Sequence, residues 1–463
     1  MDSNERYTMK VVIIGNGGVG ETLVEYICRE GHNVTVIDED PETIDAVVNK
    51  YDVMGIIGNG SSVNTQKEAG MDSADLVIAV SPSDEVNIIC CMIARRIGAK
   101  HSIARVRDPR YLKQNTFMCR ELGIDMIVNP EYEAAREGAK LTRFPAAMKL
   151  DKLAQGRIEV AEIFIGENHP LINVALKDFK NKFSTNALIC AVRRGDETLI
   201  PAGDFVICRG DYISLTASRT DITDLFLKFG AINKHNRIKS VMILGGGRIS
   251  RYLASFLSNE FSVKIIESDL EVCEALAEDF PKCEIIHGNP ADPDVLLEEG
   301  IDSTDACIPL TRDDSANIIV SLFAKTRNVK KVISYISSSY VKLSESSGID
   351  THITPKMLVV SKVLGYVRGL ANAKGLDAKS GIKALYTIAN NGAEALEFDV
   401  ADDFSKLSVP LKDIKLKGNI LIAAIIRGGN VIYPGGLSTL EVGDTVIVIG
   451  KSNRLSHLNN ILD

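Results

Sequence analysis

The sequence predicts an α/β chain with two doubly wound parallel sheets, each followed by a small β-rich α+β module. Three observations carry this expectation. Short β-branched runs alternate with amphipathic stretches from Lys10 onward, the order that builds a parallel sheet with helices on both faces. A glycine loop, Gly15-Asn16-Gly17-Gly18-Val19-Gly20, follows the first run and opens the first helical stretch. The pattern then returns, with Gly245-Gly246-Gly247-Arg248-Ile249-Ser250 matching the loop at an offset of 230, from 15 to 245.

Length and charge set the bounds. A chain of 463 residues, 45% hydrophobic and 25% charged, is near globular averages and long enough for roughly three domains at about 150 residues each. A net charge of -8 and a pI near 5.6 offer no basic field for nucleic acid or an anionic membrane surface. No apolar run reaches the ~18 to 20 residues needed to span a bilayer, and Met1 to Lys10 is polar, so the expectation is a soluble, cytoplasmic chain. The nine cysteines form no Cys-x-x-Cys pair, which points to reduced, mostly buried thiols and away from disulfides or zinc.

Taken in order, Val11–Ile14, Val34–Ile37, Asp52–Ile57, Leu76–Val80, His101–Val106 and Met126–Val128 are the strand-like runs of the first sheet. Ser83 and Asp108-Pro109 supply helix starts between them. Asn129-Pro130-Glu131 opens a helical stretch expected to reach about Lys149. The texture then changes: Arg157–Phe164 alternates in the β manner, and Leu188–Arg194 and Asp204–Ser214 are strand-like, with turns at Arg194-Gly195-Asp196 and Arg209-Gly210-Asp211. A helix, Asp221–Phe229, and a polar connector, Asn233–Lys239, lead into the second copy. There Asp305 to Thr311 repeats Asp75 to Ser81, Asp313 to Ile319 repeats Ser83 to Ile89, and Arg427 to Pro434 echoes Arg194 to Pro201. So long a period marks a tandem duplication of a two-part unit, since solenoid repeats run at ~20 to 50 residues.

The loop has a mechanical reading. In Gly-x-Gly-x-x-Gly between a strand and a helix, the first glycine makes the tight turn, the second admits a pyrophosphate and the third lets helix and strand pack closely. The free N–H groups of the helix start favour an anion. Asp38 closes the second strand, eighteen residues past Gly20. A carboxylate there accepts ribose hydroxyls and repels a 2′-phosphate, favouring NAD or an adenine nucleotide over NADP. The carboxyl ends of the strands nominate Asn59 and its neighbouring glycines, Ser81 and Arg105.

The second copy departs from this pattern. Ser250 replaces the third glycine, Glu267 replaces the aspartate, Ser334 stands where Arg105 stands, and Arg248 enters the loop in place of Gly18. Asn289 and Thr311 are the counterparts of Asn59 and Ser81, 230 residues on. Gly245, Gly247, Arg248, Glu267, Asn289 and Thr311 therefore form a second candidate site, with weaker or different nucleotide preference.

Catalytic furniture is missing around both. The seven histidines follow no motif, and the sequence holds no Tyr-x-x-x-Lys, Gly-x-Ser-x-Gly, His-Glu-x-x-His or P-loop lysine. Modules of ~65 to 80 residues suit sensing or assembly better than a substrate domain. The expectation is a non-enzymatic sensor, with a stand-alone NAD-dependent oxidoreductase as the alternative.

Met9 to Gly20, Val36-Ile37-Asp38, Asp75 to Val80, Asp84-Glu85-x-Asn87 and Ile103-Ala-Arg-Val-Arg107, in this fourfold order, resemble the tandem RCK (KTN) regulatory proteins of potassium transport. The resemblance implies Rossmann-like RCK N-terminal modules over 9–128 and 239–353 and RCK C-terminal modules over 151–232 and 377–463. Crossover helices would occupy 129–150 and 354–376, and Met1 to Thr8 would be a short extension. It implies NAD(H) and ATP or ADP competing for the same clefts, with Gly15 to Gly20 on phosphate, Asp38 on ribose, and Ser81, Pro82 and Arg105 completing the contacts. In some relatives a loop arginine meets the terminal phosphate of ATP, a residue that Gly18 lacks and Arg248 provides. It further implies a homotetrameric gating ring, peripheral on the inner face of the membrane beneath a Trk-type (TrkH/TrkG-like) potassium transporter. Phe144, Met148, Leu150, Val359, Val363 and Val367 are candidates for packing between protomers, the alternative being burial within their own domain.

Overall fold

The structure, a computed structural model, describes residues 8–112, 115–145, 147–195, 197–229, 238–337, 340, 349, 351–374, 382–389, 392–451, 455 and 457–463. Asp196, most of the connector before Lys239, the extension before Thr8 and the end of the second crossover stretch lie outside them. Among the described residues no helix is long and apolar enough to cross a membrane.

The first module runs β1 (Lys10–Ile14), α1 (Gly18–Arg29), β2 (Asn33–Asp38), α2 (Pro41–Lys50), β3 (Met54–Ile57), α3 (Val63–Glu68), β4 (Leu76–Ala79), α4 (Asp84–Ile97), β5 (His101–Arg105), α5 (Pro109–Leu112), α6 (Asn115–Leu122) and β6 (Met126–Val128). Its six strands lie in the order β3-β2-β1-β4-β5-β6, and every pairing is parallel. The order reverses between β1 and β4, the switch point outside which ligands bind in open sheets. Val11 to Ile14 are all buried, as a central parallel strand covered on both faces requires. Helix starts follow the sequence, with Asp40, Ser62 and Ser83 accepting from the first-turn amides of α2, α3 and α4.

Helix α7 (Pro130–Arg143) comes next. It stops short of the expected Lys149. Pro145 disfavours helix at the residue before it, and Lys149–Leu153 forms β7, antiparallel to β8 (Ile158–Phe164). With α8 (Leu176–Phe183), β9 (Leu188–Arg194), β10 (Glu197–Leu199), β11 (Tyr212–Ala217) and α9 (Arg219–Lys228) these strands complete a five-stranded sheet ordered β10-β9-β11-β8-β7. The alternation in β8 does not give it a wet face: Glu159 and Glu162 are buried, and Arg193 stands 3.6 Å from Glu162.

The second copy repeats both parts. β12 (Ser240–Leu244), α10 (Arg248–Leu257), β13 (Ser262–Glu267), α11 (Leu270–Asp279), β14 (Glu284–His287), α12 (Pro293–Glu298), β15 (Ala306–Pro309), α13 (Asp314–Thr326), β16 (Lys331–Tyr335) and β17 (Thr351–Ile353) give the order β14-β13-β12-β15-β16-β17. After the second crossover helix, Pro355–Lys374, come β18 (Ile382–Ile388), β19 (Ala393–Asp399), β20 (Ile420–Arg427), β21 (Asn430–Ile432) and β22 (Thr445–Gly450), ordered β18-β19-β22-β20-β21. The two β-rich sheets share one core, in which Ile158, Val160 and Cys190 meet Ala395, Ala424 and Ile447.

The crossover segments are exchanged between the copies. One compact unit ends at Ala135 and takes in Thr354–Val367; the other comprises Arg136–Ile353 and Arg368–Asp463. In the first, Lys362 pairs with Glu133 at 2.5 Å and the Tyr366 hydroxyl lies 3.4 Å from His101 Nδ1. In the second, Arg143 pairs with Glu260 at 2.8 Å, and the buried Lys331 ammonium donates to Ala147 O at 2.9 Å. Val359, Val363 and Val367 are each 0% exposed, and Phe144 and Leu150 are buried too. These five side chains are covered within the chain, the alternative of the two expectations, whereas Met148 is half-buried.

Candidate functional site

The first loop is built as its glycines predict. Gly15 takes φ +92°, a left-handed conformation that a side chain resists. A Cβ on it would also stand 2.8 Å from Ser81 N, so β1 and β4 close together only around a glycine. A Cβ on Gly20 would meet Gly15 O at 2.1 Å, the close helix-to-strand approach assigned to the third glycine. Gly17 differs, because nothing lies within 4 Å of its Cβ position. It caps α1 without a side-chain hydrogen bond, so the first amides of the helix face an open approach. Gly18 and Val19 begin the helix, and Asn16 is 7% exposed beneath the loop.

Asp38 lies under this loop at the end of β2. Its carboxylate accepts from Asn16 N at 2.7 Å and from Asp40 N at 3.0 Å. A carboxylate offers about four lone-pair sites, so acceptor capacity remains for a pair of hydroxyls.

The other predicted residues gather at the switch point. Ser81 leaves β4, and Arg105, half-buried, ends β5. Asn87 ties the two exits together: its amide donates to Ser81 O at 3.0 Å and Arg105 O at 2.9 Å, and its oxygen accepts from Ser81 N at 2.8 Å. Asp84 receives Arg107 N and Asp108 N, and the Arg107 guanidinium donates to the carbonyl of the exposed Pro82. The Asp84-x-x-Asn87 pattern is thus a clamp holding the mouth of the cleft. Asn59 stands at the exit of β3, where its oxygen closes a local turn on Ser61 N at 2.7 Å.

The second site keeps the scaffold and changes the details. Gly245 has φ +111°, Gly247 is again open, and Ser250 fits fully buried against the sheet. Glu267 accepts from Gly246 N at 2.5 Å, Ser268 N at 2.7 Å and Asp269 N at 2.9 Å. Burial raises this carboxyl, but these backbone bonds and the Ser268 hydroxyl outweigh it and hold it below the usual carboxylate range. The longer acid has room because residue 246 is glycine: a Cβ there would stand 3.0 Å from Glu267 Cγ and 2.8 Å from Val272. Asn317 repeats the clamp on Thr311 and Tyr335. Arg248 starts α10 exposed, and Asn289 closes a turn on Ala291 N at 3.0 Å. The counterpart of Arg105 is Tyr335 at the end of β16 and not the expected Ser334, which is buried one residue earlier, because β16 pairs with β15 in the register that β5 keeps with β4.

One residue near the first loop escaped the sequence reading. Lys356, in the first turn of the second crossover helix, brings its Cδ within 4.0 Å of the Cβ position of Gly18. The signal lay in the repeat, where Thr354-Pro355-Lys356 answers Asn129-Pro130-Glu131. Only the exchange of crossover segments shows which loop it lies beside.

Among known families, the TrkA-N domain matches residues 11–130 and 241–355, and the TrkA-C domain matches 160–230 and 406–463. The chain is 30% identical to the Trk system potassium uptake protein TrkA homolog 1 of Methanosarcina mazei over 460 residues, 97% of this chain and 99% of that one. Among solved structures it resembles the GsuK RCK domain, with a TM-score of 0.62 at 17% identity over 96% of this chain and 93% of that one. The GsuK channel bound to NAD gives 0.63 at 17% identity over 96% and 77%. These two share the fold, two parallel-sheet units each followed by an antiparallel β-rich sheet. Matched by both domains in both copies and along nearly its whole length by a curated relative, the chain belongs to the TrkA family of Trk-system potassium uptake proteins.

Proposed function

We propose that this chain is a regulatory subunit that binds NAD(H) and adenine nucleotides, ATP or ADP, and gates a membrane potassium-uptake partner of the Trk type. The observation that carries the nucleotide half is the pairing of an open helix start at Gly17 with a carboxylate, Asp38, fixed beneath the same loop. Phosphate sits on the amides of Gly17 to Gly20 and ribose on Asp38, with Ser81, Pro82 and Arg105 at the rim. The second cleft uses Gly245, Gly247, Arg248 and Thr311, and it binds more weakly because the carboxylate of Glu267 already serves three amides. The GsuK channel of the same fold has been solved bound to NAD, which supports the choice of ligand.

The potassium half rests on the family, whose Methanosarcina mazei member is a potassium uptake protein. Four copies form a ring on the cytoplasmic face, with RCK N-terminal modules at 9–128 and 239–353 and C-terminal modules at 151–232 and 377–463. Nucleotides change the flux only through unequal affinity for two ring states. The chain turns nothing over. The test is to co-purify it with its transporter and measure potassium flux with and without NADH and ATP, in the parent and in Asp38→Ala. Nucleotide-dependent flux that Asp38→Ala loses is expected; oxidation of NADH by the chain alone would favour the oxidoreductase reading.

A further inference from the structure

We infer that Lys356, carried by the second copy's crossover helix, is the cation that binds the diphosphate of a nucleotide in the first copy's cleft. This rests on the nucleotide reading above and names a residue for it. The side chain passes over the start of α1, its Cδ 4.0 Å from where a Cβ of Gly18 would stand. It is half-buried, and among the described residues its ammonium has no hydrogen bond or ion pair. The helix that carries it is fastened to the first compact unit about two and three turns further on, by Lys362 to Glu133 and by Tyr366 to His101. The stem is therefore held over the loop by the packing of a whole element.

Its position on its own helix points the same way. A lysine in the first turn meets the positive end of the helix dipole, a placement that disfavours the cation. That turn contains no acidic residue to offset it. A bound diphosphate would meet three sources of positive potential together: the open amides at the start of α1, the start of the crossover helix and the ammonium. The two copies divide this task differently. The second loop carries its own cation, Arg248, whereas the first has Gly18, with the lysine stem in van der Waals range of its Cβ position. The residue matching Lys356 in the first crossover helix is Glu131.

The diphosphate could belong to ADP or to a dinucleotide, so both are tested. Gly247→Val in the intact chain silences the second loop: Gly247 has φ -68° and ψ -175°, which valine tolerates, and its side chain would occupy the open approach. In that background, ADP, NADH and adenosine are titrated against Lys356, Lys356→Arg, Lys356→Gln and Lys356→Ala. Loss of one charge-assisted contact predicts about tenfold weaker binding of ADP and NADH in the Ala and Gln variants. Adenosine binding should be unchanged, and arginine should retain most of the affinity. A weakening of ADP alone would assign the contact to a free nucleotide diphosphate, and of NADH alone to the dinucleotide. ADP and NADH affinities within twofold of the parent in the Ala and Gln variants overturn the role of Lys356 while leaving the nucleotide reading intact. A Gly247→Val parent that binds neither ligand overturns both.

Discussion

At the residue scale, the two loops differ by a coupled pair. Asn16 stands over the short Asp38, and Gly246 stands over the long Glu267, whose Cγ occupies the space a side chain at 246 would need. Gly246→Ala should therefore cost about 1 to 3 kcal/mol by overpacking, seen as a lower unfolding midpoint. Gly17→Val, where the Cβ position is open, should lower that midpoint less, by only the loss of a good N-cap residue. Each glycine was legible as part of a motif. Which of them packs and which stays open was not, because that depends on residues from neighbouring strands and helices.

His169 gives a residue-scale prediction about pH. Burial, with the Phe229 ring 4.9 Å away, pushes its imidazole down from 6.5 to about 4. The unfolded chain therefore takes up this proton first, and stability should fall as pH drops from about 6.5 towards 4. Unfolding in urea at pH 7 and pH 5 checks this: His169→Asn should flatten the difference between the two, and an unchanged difference would exclude the contribution. No motif flagged this histidine, since its environment comes from packing.

At the scale of elements, the echoing turns of the β-rich modules become a single device. Arg194 reaches Asp211 through two bonds of 2.8 Å, and Arg427 reaches Asp444 in the same way. Each aspartate also accepts the amide three residues before it, Cys208 N or Glu441 N. Thus Arg-Gly at one turn and Gly-Asp at the other, visible as separate repeats in the sequence, are the two ends of one ion pair tying neighbouring strands. Asp211 is 0% exposed, so Arg194→Ala should strand a buried charge and cost about 3 kcal/mol, measurable by thermal unfolding. The strands of the first parallel sheet were legible from β-branched runs, whereas Asp204–Ser214, expected as strand, holds only the start of β11 at Tyr212, and β7 was not foreseen. The end of α7 at Arg143 was missed because amphipathic spacing continues past it, although Pro145 carried the stop signal.

At the scale of the molecule, the duplication was plain in the sequence, but the exchange of crossover segments was not. A periodic pattern shows which face of a helix is apolar and says nothing about which copy covers it. Val359, Val363 and Val367 illustrate this: candidates for packing between protomers or within their own domain, they are buried with the first unit of their own chain, which belongs to the other copy. The exchange brings Lys356, on the second crossover helix, to the first glycine loop. Two clefts with different acids and different cations are suited to unequal nucleotide affinities, the property a sensor needs to respond to one ligand in the presence of another.

The absence of tryptophan from the chain makes that inequality easy to read by NADH fluorescence. Equilibrium titration of the intact chain should show a stronger and a weaker phase. Gly17→Val should remove the stronger and Gly247→Val the weaker, with the nicotinamide remaining reduced throughout. Binding that survives both substitutions together, or equal losses from each, would rule out two unequal clefts.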